Sequence, residues 1–186
     1  NMAQNYFNEL HESTKNLNNH LQEYHDYDEL TSFLQGIAEE YSNITDLFSI
    51  GQSVQGRELW VLNISDNPGI NEVEPEFKYI ANMHGDEVVG RELSIYLIEW
   101  ICENYGYNPR ATNLVDNVDI FILPSMNPDG FEAGSRYNAN GVDLNRDFPD
   151  QFDDQNNTIN GREPETVSVM EWSWEQNFVL SANMHG

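Results

Sequence analysis

Two histidines and one glutamate have the residue types and spacing of a metal site. His84 and Glu87 are three residues apart at the end of an apolar run over 77–83, and His185 ends a second run over 178–183. A catalytic zinc ion takes three protein ligands and keeps a fourth position for water, and two His with one Glu is an established set. Because His-x-x-Glu is a short pattern, a structural histidine is the alternative at each position.

The sequence around the two histidines is repeated. Ala-Asn-Met-His-Gly occurs at 81–85 and again at 182–186. Each copy lies at the carboxyl end of a predicted buried strand, where open α/β sheets bind their ligands. Each histidine is followed by glycine, which lets a neighbouring segment approach closely. The repeat therefore favours a shared site over two unrelated core histidines.

A second candidate site lies in the irregular stretch over 124–161, which is rich in Asn, Asp, Pro and Gly. Arg136, Asn145 and Arg146 all fall within it. The guanidinium group of arginine matches a carboxylate with two parallel hydrogen bonds, so these residues could bind a substrate carboxylate. The structural alternative is pairing with surface acids, which contributes only about 0–1 kcal/mol per pair.

The charge balance excludes some partners. The 186 residues contain 8 Lys and Arg against 32 Asp and Glu, a net charge of −24. This argues against nucleic-acid and anionic-membrane binding, since both need clustered cations. The apolar runs are shorter than the ~20 residues of a membrane span. The single cysteine, Cys102, excludes an intrachain disulfide.

Strand and helix patterns alternate along the chain. Strands are predicted over 44–50, 58–64, 77–83, 118–123 and 178–183, the first two joined as a hairpin by a turn-rich link over 51–56. Helices are predicted after Asp26, from Glu87, and from Pro164 to about Trp174. This order indicates an α/β sheet with helices on both faces.

The N-terminal segment is polar and rich in Asn. An apolar stripe predicts a helix there, formed by Phe7, Leu10, Thr14, Leu17, Leu21 and Tyr24. The other three histidines, His11, His20 and His25, lie in this region and are predicted to be on the surface. We therefore divide the chain into a helical segment over 1–25 and a domain over 26–186.

Four ordered motifs resemble the zinc metallocarboxypeptidases, specifically the carboxypeptidase N/E subfamily. The run His-Gly-Asp-Glu-Val-Val-Gly-Arg-Glu at 84–92 is similar to the first zinc motif of that family. The runs at 124–131 (Pro-Ser-Met-Asn-Pro-Asp-Gly-Phe) and at 136–149 resemble its next signatures, and 181–186 resembles the segment with the third ligand. The resemblance extends from about Tyr24 to the last residue and implies a mixed, mostly parallel central sheet.

The resemblance assigns roles to the metal residues. It makes His84, Glu87 and His185 the ligands of one zinc ion per chain. Asp143 would accept a hydrogen bond from His84 and orient it, a role that tunes metal affinity. The implied reaction is zinc-assisted attack of water on the last peptide bond of a peptide or protein.

The resemblance also assigns roles in the long loop. Arg136 would polarise the scissile carbonyl and stabilise its developing negative charge, while Asn145 and Arg146 would bind the terminal carboxylate of the substrate. It further implies a preference for C-terminal Lys or Arg, and it favours a secreted or otherwise extracytoplasmic location. The oligomeric state is not determined by these motifs.

Two departures from the family pattern matter. Asp147 stands where the subfamily usually has Asn, and we expect only a local effect. In the family, a further stretch after the third ligand carries the general-base Glu and a Tyr that closes over the substrate. We therefore expect 26–186 to be the N-terminal portion of a catalytic domain, and the 186 residues alone to be nearly inactive.

Two other functions remain open. A zinc deacylase of the aspartoacylase kind resembles this family in His-Gly-x-Glu and Asp-Leu-Asn-Arg, although the Asn-Pro-Asp-Gly signature at 127–130 and Arg136 favour the carboxypeptidase. A relative that binds peptide C-termini or zinc without turnover would keep the fold and lack the base. Each alternative predicts a different result with peptide and N-acyl amino acid substrates.

Overall fold

The computed structural model describes residues 24–150, 152 and 156–186. The helix predicted for the polar N-terminal segment lies almost wholly outside the described residues, as do His11 and His20. The elements follow one another as α1 (Tyr27–Glu40), β1 (Thr45–Gln52), β2 (Glu58–Ile64), β3 (Glu76–Ala81), α2 (Val89–Asn104), α3 (Pro109–Val115), β4 (Asp119–Leu123), α4 (Pro128–Glu132), a 3₁₀ turn (Leu144–Arg146), α5 (Pro164–Glu175) and β5 (Phe178–Met184).

The strands form one mixed sheet in the order β1-β2-β4-β3-β5. β2 runs antiparallel to both β1 and β4, whereas β3 runs parallel to both β4 and β5. Four of the five described strands therefore point the same way, and β2 opposes them. The sheet is mixed and mostly parallel, as predicted, and β1 and β2 form the predicted hairpin.

The centre of the sheet positions the candidate metal residues. β3 lies between β4 and β5, so the carboxyl ends of three parallel strands meet at one edge. His84 follows β3 and His185 follows β5 at that edge. The two copies of the repeated pentapeptide are not in equivalent register, however, because Ala81 pairs with Met184 rather than with Ala182.

Helix α1 begins where the sequence predicts. The Asp26 carboxylate accepts a hydrogen bond from the Glu29 backbone N–H at 2.8 Å, and the Glu29 carboxylate accepts one from the Asp26 N–H at 2.9 Å. This reciprocal capping box satisfies two N–H groups that the helix cannot pair itself. The helix then buries Leu30, Leu34 and Ile37 on one side, which is the spacing of a single helical face.

Helices cover both faces of the sheet, as predicted. On one face, α1, α2 and α3 pack on β2 and β4 around a core that includes Leu34, Leu62, Ile98, Val115 and Ile122. On the other face, α5 packs on the sheet around a core that includes Val61, Phe121, Leu123, Met126 and Trp172. None of the helices in the described ranges has the length and apolarity needed to cross a membrane.

Two short helices were not predicted. α3 has seven residues and α4 has five, so neither is long enough to show an apolar stripe in the sequence. Their caps explain why they form: the side chain of Asn108 accepts a hydrogen bond from the Arg110 N–H, and that of Asn127 accepts one from the Gly130 N–H. A proline follows each cap, at a position where its missing N–H costs nothing.

The loop after β3 packs so closely against α4 that only glycine fits at one position. A Cβ atom on Gly85 would lie 2.1 Å from the carbonyl carbon of Gly130 and 2.4 Å from the backbone nitrogen of Phe131. The close approach predicted for the glycine after His84 is therefore confirmed. At Gly186 a Cβ atom would meet nothing within 4 Å in the described part of the chain.

We expect Gly85→Ala to lower the free energy of unfolding by about 3 kcal/mol, the upper end of the range for overpacking, because the atoms it would strike belong to the backbone. The control is Gly36→Ala, an exposed position within α1 where a Cβ atom would meet nothing. That change should stabilise the protein by roughly 0.5–1 kcal/mol. Urea unfolding followed by circular dichroism measures both, and equal unfolding midpoints for Gly85→Ala and wild type would contradict the packing argument.

Candidate metal centre

The structure brings His84, Glu87 and His185 together. The Nδ1 atom of His84 lies 2.9 Å from one oxygen of Glu87, and the Nδ1 atom of His185 lies 2.7 Å from the other. The two imidazole rings are 5.0 Å apart between centroids. One ligand atom from each of the three residues lies within 4.8 Å of those of the other two. Two neighbouring parallel strand ends thus supply three converging ligand atoms.

The two ring nitrogens of His84 have different partners. Nε2 lies 3.1 Å from Oδ1 of Asp143, and because a carboxylate only accepts, this nitrogen carries the hydrogen. Nδ1 is buried and faces the Glu87 carboxylate at 2.9 Å without the geometry of a hydrogen bond. In the neutral imidazole, Nδ1 therefore presents a lone pair toward Glu87 and His185. An orphaned buried nitrogen beside a carboxylate and a second imidazole fits a zinc ion, which prefers this donor set.

Electrostatics keep the carboxylate of Glu87 charged. Partial burial acts to raise its pKa, but its contacts with His185 and His84 outweigh this effect, so the pKa is lower than usual. His84 is almost completely buried, whereas 39% of the His185 side chain is exposed. Glu87 therefore contributes a negative charge to the cluster, which is open to solvent on the His185 side.

Asp143 links this cluster to the long loop. Its Oδ1 accepts hydrogen bonds from His84 and from the Asn145 backbone N–H at 3.0 Å, and its Oδ2 accepts one from Nε of Arg136 at 3.1 Å. Burial acts to raise the pKa of Asp143, but these hydrogen bonds outweigh it and lower the pKa. The carboxylate is thus ionised at neutral pH and holds three groups at once.

Arg136 stands beside the metal cluster. Its Nη1 atom is 3.6 Å from an oxygen of Glu87, and 38% of its side chain is exposed. One edge of the guanidinium group is tied to Asp143, which fixes its direction. An oriented and partly exposed cation next to a metal cluster can stabilise negative charge that develops on a bound substrate.

Asn145 and Arg146 lie on the 3₁₀ turn, which is anchored by the buried Leu144. Arg146 is exposed, and its Nη1 donates to the Asn145 carbonyl at 2.9 Å. Asn145 lines a cavity of about 470 Å³ whose wall also includes Met83 and Asn183, which precede the two histidines by one and two residues. The structure therefore places Asn145 at a cavity whose wall continues to the strand ends that carry the two histidines, with Arg146 next to it on the turn.

Buried acids that the sequence analysis did not identify hold the long loop in place. The Nδ2 atom of Asn138 donates to Glu163 at 2.7 Å and to Glu165 at 3.1 Å. Glu165 is fully buried and its pKa is raised, mainly by desolvation. Asp129 accepts hydrogen bonds from the Ser53 hydroxyl and from Arg57, which ties α4 to the hairpin turn. Asp129 belongs to the Asn-Pro-Asp-Gly signature, whereas no sequence signal distinguishes Glu163 and Glu165 among the 32 acids.

His25 is partly buried, whereas the sequence analysis predicted a surface position. Its Nδ1 lies 2.8 Å from the Glu92 carboxylate, and its backbone N–H donates to the same group at 3.1 Å. The buried Arg91 donates to the carbonyls of His25 and Asp26. The prediction failed because the partners of this histidine lie 66 and 67 residues away along the chain.

The sequence model of the zinc carboxypeptidase family matches residues 30–186. The chain belongs to the zinc carboxypeptidase family. Among curated members, it is 51% identical to human carboxypeptidase D over 173 residues, which cover 88% of this chain and 12% of that protein. It is 52% identical to carboxypeptidase SOL1 of Arabidopsis thaliana over 159 residues, 86% of this chain and 32% of that one. These similarities confirm the resemblance inferred from the motifs.

Other zinc carboxypeptidases extend the comparison. The mouse carboxypeptidase N catalytic chain is 45% identical, in an alignment that covers 88% of this chain and 42% of that protein. Solved structures share the fold. Carboxypeptidase A from Helicoverpa armigera matches with a TM-score of 0.75 and 26% identity, over 88% of this chain and 46% of that one. The 186 residues thus span less than half the length of each of these relatives.

We expect Asp143→Asn to weaken zinc binding by about 10- to 100-fold, because an amide cannot hold both His84 and Arg136 as the carboxylate does. A competition titration against a zinc chelator measures the affinity. Asp86→Asn is the control, since it removes the same charge from an exposed side chain next to Glu87. Equal losses in the two variants would show that the charge of Asp143 matters and its contacts do not.

Proposed function

We propose that this protein acts in zinc-dependent hydrolysis of the C-terminal peptide bond of peptides or proteins. The observation that carries the proposal is the continuous chain of contacts from His185 through Glu87, His84 and Asp143 to Arg136. It joins a metal-ligand cluster to an oriented cation beside a cavity. Membership of the zinc carboxypeptidase family supports the same reaction.

In this proposal, His84, Glu87 and His185 hold the zinc ion. Bound zinc supplies Lewis-acid polarisation and lowers the pKa of a water molecule. Asp143 keeps the hydrogen of His84 on Nε2, so that Nδ1 presents its lone pair to the metal. The open side of the cluster at His185 leaves room for water and the scissile bond.

Arg136 would act on the scissile carbonyl. Its guanidinium group is held by Asp143 on one edge and is partly exposed on the other. Negative charge develops on the carbonyl oxygen as water adds, and a cation that is already oriented stabilises that charge without reorganising. Arg136 would therefore stabilise the transition state more strongly than it stabilises the bound substrate.

Asn145 and Arg146 would bind the substrate's terminal carboxylate. The guanidinium of Arg146 is exposed on the 3₁₀ turn, and Asn145 lies beside it at the cavity wall. Charge-assisted hydrogen bonds from Arg to a carboxylate are stronger than neutral ones. Because only a chain end carries this carboxylate, the pair would restrict cleavage to the last peptide bond.

For the terminal side chain of the substrate we propose Lys or Arg. The net charge of −24 attracts cationic peptides and raises their rate of encounter. Lys78 lines the cavity, but its ammonium group donates to Ser173 and lies over the rings of Trp172 and Phe178. A comparison of kcat/KM for peptides that end in Arg, Lys and Phe tests this preference, and equal values would contradict it.

We also propose that the 186 residues alone turn over peptide slowly. Among the described residues, the carboxylates in contact with the two histidines are Glu87 and Asp143. Both are engaged with cationic or hydrogen-bond partners, so neither is available as a general base. Loss of such a base usually lowers the rate by about 10²–10⁴-fold.

Removal of zinc tests the function as a whole. Protein made from the complete reading frame should release C-terminal residues from peptides, lose that activity on dialysis against dipicolinate, and regain it with one equivalent of zinc. Mass spectrometry of the peptide measures the release. An intact peptide with fully loaded protein would contradict hydrolysis and favour a binding role. Cleavage of N-acyl amino acids in place of peptides would favour the deacylase.

The variant Arg146→Gln tests the carboxylate contact. A hydrogen bond to a charged group contributes about 1.5–3 kcal/mol, so kcat/KM should fall by roughly 10- to 150-fold. A peptide with an amidated C-terminus should be cleaved equally slowly by both forms. Arg110→Gln is the matched control, because Arg110 is exposed on α3 and lies outside the site. A kcat/KM for Arg146→Gln equal to that of the wild type would contradict a contact between Arg146 and the substrate carboxylate.

A further inference from the structure

Asn82 has an unusual backbone conformation directly beyond β3. Its φ angle is +55°, and it is the one non-glycine residue with positive φ among those described. Asparagine tolerates this left-handed region better than most residues, but the conformation is still uncommon for a side chain with a Cβ atom. The side chain is completely buried. A strained backbone with a buried amide requires compensating contacts.

The amide of Asn82 makes those contacts within the metal-binding loop. Its Nδ2 atom lies 3.0, 3.1 and 3.2 Å from the backbone carbonyl oxygens of His84, Gly85 and Glu87, which share its two hydrogens. Its Oδ1 atom accepts a hydrogen bond from the Ser125 hydroxyl at 2.8 Å. Because backbone carbonyls only accept, the nitrogen end of the amide must face the loop, and the oxygen end then faces Ser125.

These three carbonyls belong to the segment that carries two of the proposed zinc ligands. When the carbonyls of His84 and Glu87 point inward to Asn82, their side chains are left to project toward His185. The loop is held from the opposite side as well, because Asn127 donates from its backbone to the Asn82 carbonyl and from its side chain to the Met83 carbonyl. Contacts within the protein therefore hold the loop from two sides.

We propose that Asn82 is a positioning residue for the metal centre, whose buried amide fixes the separation and direction of His84 and Glu87 and thereby raises the affinity for zinc. This inference rests on the proposed function, since it takes those two residues as zinc ligands. Asn82 touches neither the substrate nor the metal, and it acts through the backbone of the loop.

The repeated pentapeptide offers a comparison within the same chain. Asn183 occupies the corresponding place before His185, yet it lies within β5, is exposed, and pairs with Ile80 in the sheet. The local sequence is identical at the two positions. The buried loop-holding role of Asn82 therefore arises from its place in the fold.

Two substitutions of Asn82 distinguish the effect of its side-chain amide from the effect of its backbone conformation. Asn82→Gly keeps the left-handed conformation and removes the side chain. Asn82→Asp keeps the shape and an oxygen near Ser125, but places an acceptor where three carbonyls need a donor. We expect each variant to bind zinc about 10- to 100-fold more weakly, as is typical when a residue that orients metal ligands is lost. Ser125→Ala should give a smaller loss of roughly 2- to 10-fold.

Zinc affinity is measured by chelator competition, and the absorption spectrum of the cobalt-substituted protein reports ligand geometry. The spectrum of Asn82→Gly should shift, because His84 and Glu87 are no longer fixed. Asn104→Asp is the control, since it removes an amide-to-carbonyl hydrogen bond at the far end of α2. Circular dichroism confirms that each apo variant is folded under the conditions used.

The outcomes are distinct. Wild-type affinity and cobalt spectrum in both Asn82 variants would overturn the inference and leave the proposed function intact. If the wild-type protein itself bound no zinc, the proposed function and this inference would both be overturned. If Asn104→Asp lost as much affinity as Asn82→Asp, the effect would be general destabilisation, which overturns the positioning role.

Discussion

The carboxylate of Asp143 is the contact on which the candidate site depends. One of its oxygens accepts hydrogen bonds from His84 and from the backbone of Asn145, and the other accepts one from Arg136. Its lowered pKa keeps it ionised, so it can hold a cation and two N–H donors together. The metal ligands follow the ends of strands, whereas Arg136 lies in the long loop. The Asp143 carboxylate contacts both His84 and Arg136. It therefore fixes the direction of Arg136 relative to the metal ligands.

A second set of contacts, made mainly by buried polar side chains, holds the loop after β3. Asn82 and Asn127 bind the carbonyls of the loop after β3, and Gly85 lets α4 pack directly on that loop. A buried polar group without a partner costs about 1–3 kcal/mol in proteins, so each of these contacts penalises any other loop shape. Together, these free-energy costs favour the observed conformation of the loop over others. These contacts fix the backbone from which the side chains of His84 and Glu87 converge.

The scarcity of positive charge makes the position of each cation informative. Of the six arginines, Arg57 pairs with the buried Asp129, Arg91 binds the backbone that leads into α1, and Arg136 pairs with Asp143. Arg57 and Arg91 each tie two segments that are distant in sequence, and Arg136 also lies 3.6 Å from Glu87. In a chain of net charge −24, these three arginines join separate elements of the fold or lie at the proposed site. Most of the acids among the described residues are exposed.

Local patterns in the sequence determined much of this protein: the cap at Asp26, the alternation of strands and helices, and the motif residues His84, Glu87 and His185. These could be predicted because capping, periodicity and ligand chemistry act over a few residues. Only the tertiary structure decided which nitrogen of His84 faces Asp143 and which faces Glu87. It also decided that His25 pairs with Glu92, and that Asn82 supports the loop whereas Asn183 forms part of a strand. The physical reason is that burial and hydrogen-bond partners come from residues distant along the chain, so identical local sequences acquire different roles.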